Sequence, residues 1–297
     1  METMDSPQVR VLLERVANLR KEGKHDEAIR VATTAIDTAG RIVDADHSAR
    51  PHFVSALETL AELRLEQGDY PPAEALLIDA LDHAGYCEVP PIQLARMKSS
   101  LAGIYDFNAF PESAISLYEE AIVIFESLEP PLEEDAANLR NNLAMIFKDA
   151  GYFDQAEDNY IKALEILERL HGRQHEDVAS IYNNLGALYY ATGYCAQARE
   201  MHGQALEIRS ALEDRSDADI GQSCSNLATC LHELGEHADA QKQFEMALKH
   251  LESTIGHDRE LYTIVASNYA TLLRDLNKEK KALALEKRSQ KLLRKYA

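Results

Sequence analysis

Residues 183–206 read NNLGALYYATGYCAQAREMHGQAL. A small residue, Gly193, is followed five positions later by Ala198, and Ala205-Leu206 closes the pattern. The same arrangement appears in KDAGYFDQAEDNYIKAL (148–164), HELGEHADAQKQFEMAL (232–248) and LEQGDYPPAEALLIDAL (65–81). The first Ala of each copy falls at Ala28, Ala73, Ala114, Ala156, Ala198, Ala240 and Ala282. After the first two steps the spacing is a steady 42 residues. Upstream lie NNLAMIF (141–147), NNLGALY (183–189), SNLATCL (225–231) and SNYATLL (267–273), in the same period. A fixed period of this length marks an array of supersecondary units.

Each unit reads as two helices. Apolar residues recur at three and four spacing, as Leu143, Ile146 and Phe147, then Tyr160, Ala163, Leu164 and Leu167. Gly23, Gly68, Gly151, Gly193 and Gly235 stand at the turn, where a helix end takes a left-handed residue. Ala109 and Asn277 take that place in the third and seventh units. Small residues at 61, 102, 144, 186, 228 and 270, and Ala at 73, 156, 198 and 240, let helix axes approach. Most of the nine prolines sit where a helix should begin. The expected fold is therefore all-α, a right-handed α-solenoid of seven helix pairs with a 42-residue period. The expected units are 7–45, 50–88, 91–129, 132–172, 175–214, 217–256 and 258–297, in one superhelix spanning 1–297.

The composition agrees. The chain of 297 residues holds only 13 Gly and 9 Pro, too few for an all-β protein that turns every 8–12 residues. Asp and Glu number 50 against 31 Lys and Arg, a net charge of −19 that disfavours nucleic acid as a partner. The polar start METMDSPQVR has no apolar run behind it, so no signal peptide is expected. No stretch approaches a membrane span. Cys87, Cys195, Cys224 and Cys230 form no C-x-x-C pair and read as reduced, buried thiols of a cytoplasmic protein.

The spacing of Leu143-Ala144, Ala156 and Ala163, repeated as Leu185-Gly186, Ala198 and Ala205, resembles the tetratricopeptide repeat family. The common unit of that family has 34 residues and lacks the eight extra found here. The 42-residue version is similar to the repeat of kinesin light chains. Residues 163–198, with His175 and Val178-Ala179 in the loop, carry that similarity; Glu176 departs from it, standing where the family usually has Pro. Units four to seven fit the kinesin-light-chain type, and units one to three fit the family in general. The long heptad region that joins those light chains to a motor is not expected here. Short members without it include bacterial kinesin light chains that accompany bacterial tubulins. That resemblance implies a non-enzymatic, filament-associated adaptor, linking filaments to a membrane or another partner. A peptide-sensing regulator whose groove binds a short peptide is the alternative.

Two surfaces are candidates for binding. Asn142, Asn184, Asn226 and Asn268 occupy one register. The resemblance places it in the concave groove, where amides hold a bound peptide's backbone. An Asn costs about 0.5 kcal/mol in a helix interior relative to Ala, so four call for an offsetting interaction. Shared ancestry of the copies is the plainer explanation. Lys148, Tyr190, His232 and Arg274 are expected one turn further along the same face, where variation would set specificity; a merely solvated face is the alternative.

The second surface is the last helix. Residues 278–297 hold eight basic and two acidic residues, a net +6 that leaves −25 on the rest. Lys287, Arg288, Lys291, Arg294 and Lys295 could meet an acidic protein or an anionic membrane, or simply cap the array. No catalytic, cofactor or metal site is expected. HELGEH (232–237) spaces its histidines five apart with Gly235 between them, so they should share no face. His171 and His175 are expected off a helix, beside Gly172.

Overall fold

A computed structural model describes residues 7–214, 216–256 and 259–296. Residues 1–6, and the outer bounds 258 and 297 of the last expected unit, lie outside the described residues. Fourteen α-helices are present among the described residues and no strand. They are α1 Pro7–Lys21, α2 His25–Ala45, α3 Arg50–Glu66, α4 Tyr70–Ala84, α5 Pro91–Phe107, α6 Pro111–Ser127 and α7 Glu133–Asp149. Then follow α8 Phe153–His171, α9 Glu176–Ala191, α10 Cys195–Ala211, α11 Asp217–Glu233, α12 His237–Thr254, α13 Arg259–Asp275 and α14 Glu279–Lys295. The chain forms two compact units, one ending at Leu139 and the other beginning at Arg140.

Every odd-numbered helix turns into its even-numbered partner by the same device. The residue two places past the helix has φ near +60 to +84°, as at Gly151, Gly193, Gly235, Ala109 and Asn277. Its N–H returns to the carbonyl three back, and the next N–H reaches five back. In the fifth pair these are Gly193 N to Tyr190 O at 3.0 Å and Tyr194 N to Tyr189 O at 2.8 Å. This double bond satisfies two helix-end carbonyls and reverses the chain tightly. Ala109 adopts φ +60° despite its Cβ, which carries a strain that Gly avoids.

In the first unit, α1 to α6 pack in sequence. Ala28 and Ala32 of α2 meet Leu60 and Leu63 of α3, and Val54, Leu57, Leu77, Met97, Leu101 and Ile104 form the next core. Arg20 of α1 donates to Glu62 at 2.8 Å and to Glu66 at 2.6 Å on α3. In the second unit, Phe244, Leu251, Tyr262, Val265 and Leu272 anchor the core of α11 to α14. The alanines at 73, 156, 198 and 240, and those at 61, 102, 144, 228 and 270, are all fully buried. A methyl group is all the space between those helices admits.

Of the thiols, Cys224 and Cys230 are buried, whereas Cys87 and Cys195 are only half-buried, which corrects the expectation of four buried groups. Burial pushes the Cys230 thiol up to about 12. No helix among the described residues is long and apolar enough to cross a membrane.

Candidate functional site

The second unit brings the asparagines together across neighbouring pairs. Asn184 Nδ2 on α9 donates to Asn141 Oδ1 on α7 at 2.9 Å. Asn226 Nδ2 on α11 donates to Asn183 Oδ1 on α9 at 3.0 Å. The residue that receives each bond is the Asn immediately before the register position of the previous pair. These bonds supply the interaction that offsets the helix-propensity cost of Asn184 and Asn226. Each held amide keeps its oxygen and a second N–H for another partner. Both residues are half-buried.

The ends of the row differ. Asn142 Oδ1 accepts from its neighbour Asn141 at 3.4 Å. Asn268 on α13 is exposed, and the position that would receive its bond is Ser225, too short to reproduce the amide pairing. The NN doublets at 141–142 and 183–184, against SN at 225–226 and 267–268, carried this signal in the sequence. The partner row, Asn141 and Asn183, went unread there.

Lys148, Tyr190, His232 and Arg274 do not share the asparagine face. Six residues of α-helix turn through about 240°, so these side chains project about 120° away. All four lie in the last turn of their helices, and their carbonyls accept the turn N–H described above. Lys148 Nζ meets Asp149 at 3.2 Å. Tyr190 is exposed, and burial of its ring edge raises its hydroxyl's pKa, with Glu233 of α11 adding to the shift. His232 Nε2 lies 3.3 Å from Asp275, and Arg274 Nη2 donates to Glu286 at 2.6 Å. Arg274 is thus held against α14.

Behind the asparagines lies a polar core that the sequence reading missed. His202 of α10 is 2% exposed, and its Nδ1 sits 3.1 Å from Asn183 Oδ1. Burial, with the Arg209 charge nearby, lowers the imidazole to about 4, so the ring is neutral at pH 7. Its N–H therefore donates to Asn183, whose oxygen also receives Asn226. A Cβ at Gly186 would come within 2.6 Å of the His202 ring, which is why this pair carries Gly where others carry Ala. Arg209, 5% exposed, donates to Glu176 at 2.9 Å, Ser223 Oγ at 2.9 Å and Ser180 Oγ at 3.1 Å. It ties α10 to α9 and α11.

One histidine departs from expectation in position. His171 is the last residue of α8 rather than off a helix, and His175 caps α9, its Nδ1 accepting from Asp177 N at 3.3 Å. With Asp177 they form the one group among the described residues whose donors could surround a metal ion. Their rings stack at 4.3 Å with planes 18° apart. Ligating nitrogens point in the ring plane, and two stacked planes cannot both contain one ion. Gly235 does end the helix between His232 and His237, yet their rings meet edge-on across the turn at 5.6 Å.

On α14, Lys287, Lys291, Arg294 and Lys295 are exposed, and Arg288 donates to Glu252 at 2.6 Å. Leu292 and Leu293 pack against the core while Ala282 and Ser289 are buried. The helix closes the second unit with its apolar edge and presents its basic edge outward.

The profile described as Tetratricopeptide repeat matches residues 135–211 and 220–295. No curated protein matches the chain. Among solved structures, BtubC (BKLC) from P. vanneervenii is 34% identical, with 79% of this chain and 93% of that chain covered and a TM-score of 0.64. A kinesin light chain structure from Podosopora anserina, with nearly identical TPR-like repeats, is 19% identical over 68% of this chain and 96% of its own, TM-score 0.56. The assembly chaperone of RpL4 (Acl4) is 19% identical over 93% of this chain and 99% of its own, TM-score 0.58. The last two show likeness of fold alone.

Proposed function

The chain belongs to the tetratricopeptide repeat family, and from that premise we propose that it is a protein-binding adaptor of the kinesin-light-chain type without catalytic activity. Repeat arrays of this kind present extended binding surfaces built from neighbouring units. The observation that carries the reading is the held asparagine pair. Asn184 and Asn226 are each fixed by a bond they donate to the preceding helix pair and keep one amide edge for a ligand. An amide that is already oriented loses little entropy on binding a peptide backbone. The partner is a protein or peptide segment laid along α9 and α11.

The similarity to BtubC (BKLC) supports bacterial tubulin filaments as that partner. Co-pelleting with polymerised bacterial tubulin tests it. Enrichment of the wild-type protein in the pellet, and its loss in Asn184→Ala/Asn226→Ala with α14 unchanged, is the expected result. No enrichment of the wild type ends the filament assignment. Binding that survives the double substitution removes the groove as the recognising surface.

A second contact would use the outward lysines and arginines of α14, whose exposure favours an anionic surface. Vesicles of acidic phospholipid should carry the wild-type protein upward in flotation. Reversal of Lys287, Arg288, Lys291 and Arg294 to Glu should leave it at the bottom. Equal flotation of both proteins excludes a membrane role for this helix.

A further inference from the structure

Between Lys98 and Arg140 the chain has nine acidic residues and no Lys or Arg. Much of that charge is displayed by α6. Glu112, Glu119 and Glu120 are exposed, and Val123, one turn beyond Glu119 and Glu120, is 65% exposed. Val123 stands beside Leu94 and Ile124 at an open depression of about 470 Å³ on α5 and α6. Lys98 Nζ neutralises Glu120 at 2.5 Å, which leaves Glu112 and Glu119 as the outward charges on the Val123 stripe. An exposed branched side chain framed by carboxylates is a docking surface for an apolar residue framed by cations.

The chain itself contains that counterpart. On α14, Leu283 is 45% exposed, and Lys287 and Arg294 are exposed on the same face. The spacings correspond. Glu119 precedes Val123 by four residues and Glu112 by eleven; Lys287 follows Leu283 by four and Arg294 by eleven. Four and eleven residues return to one face of a helix after one and three turns. Two such helices laid antiparallel, Val123 on Leu283, bring Glu119 to Lys287 and Glu112 to Arg294. We propose that the Val123 face of α6 docks the α14 helix of a second copy of this chain in this antiparallel register.

The donor face and the receiving face are different surfaces, so the contact is head-to-tail and each added copy leaves one face open. A single helix against a single helix falls below the about 1,200 Å² of standard interfaces, so the association is weak and sensitive to salt. It does not depend on the groove, because no asparagine of the ladder takes part. It does occupy the same α14 residues that an acidic partner would use, so assembly and partner binding compete.

Sedimentation velocity on the full chain tests it, from micromolar to hundreds of micromolar, at about 0.05 M and about 0.5 M salt. The expected result is a mean mass that rises with concentration at low salt and returns to the monomer at high salt. Glu112→Lys/Glu119→Lys and Lys287→Glu/Arg294→Glu should each weaken self-association by about tenfold or more. Mixed together, the two variants should regain association, since the α14 cations of one meet the α6 carboxylates of the other and the two reversed faces are again opposite in charge. That rescue also shows that both variants are folded. A monomer at every concentration and salt overturns the proposal. So does association unchanged by either variant, or failure of the mixed variants to pair.

Discussion

His202 gives the structure a measurable acid sensitivity. Its ring is 2% exposed and bonded to Asn183, and its pKa in the fold is about 4 because burial, and then the Arg209 charge, oppose the imidazolium. In the unfolded chain a histidine titrates near ~6.5. The folded pKa is the lower one, so the unfolded state binds the proton first. Stability contributed by the neutral ring is complete above the unfolded pKa and is lost as pH falls toward the folded one. The slope is about 1.4 kcal/mol per pH unit, which amounts to about 2.5 kcal/mol at a pH near 4.5. His202→Gln keeps an amide N–H for Asn183 and removes the titration. Urea unfolding of both proteins, followed by circular dichroism from neutral pH downward, isolates the term as a difference between two curves. The wild type should lose about 2.5 kcal/mol relative to the variant over that range. The imidazole resonance of His202 should stay in its neutral position down to about pH 5. Parallel stability curves, or a ring that titrates near 6.5, would refute the reasoning.

Three further outcomes follow from the same packing. Gly186→Ala should destabilise the protein by about 1–2 kcal/mol, because the new methyl meets the His202 ring. In a His202→Ala background the same change should instead stabilise by about 1 kcal/mol through helix propensity, and a thermal-unfolding cycle reads the change of sign. Tyr160→Phe should raise the unfolding midpoint or leave it unchanged, since the Tyr160 hydroxyl is fully buried without a hydrogen-bond partner and costs about 1 kcal/mol or more there. Arg209→Ala should cost about 3 kcal/mol, and Arg209→Lys should recover little, because a point charge cannot serve Glu176, Ser180 and Ser223 at once. Local hydrogen exchange in α9 to α11 should rise in both Arg209 variants.

The candidate binding row was legible only in part. Asn142, Asn184, Asn226 and Asn268 announce themselves by their register, but their worth differs. Asn184 and Asn226 find an amide on the preceding helix pair, whereas Asn268 faces the shorter Ser225 and stays exposed. The expectation for Lys148, Tyr190, His232 and Arg274 failed on helix geometry, since six residues do not return to the same face. Their true setting is the last helical turn, where Arg274 and His232 are taken up by charges on α13 and α14.

The sequence by itself determined the repeating helix pair, its turn and its small contact residues. Those features are local: a left-handed residue at 151, 193, 235 or 277 reverses the chain whatever lies beyond it. Burial at Ala156, Ala198 and Ala240 follows from the same periodicity. Only the tertiary structure decided which polar groups meet. Asn184 reaches Asn141, and Arg209 reaches Glu176, across 43 and 33 residues of chain. Such pairings depend on the rotation of one helix pair against the next, a quantity set by how side chains of different size pack. No residue spacing within a single helix encodes it.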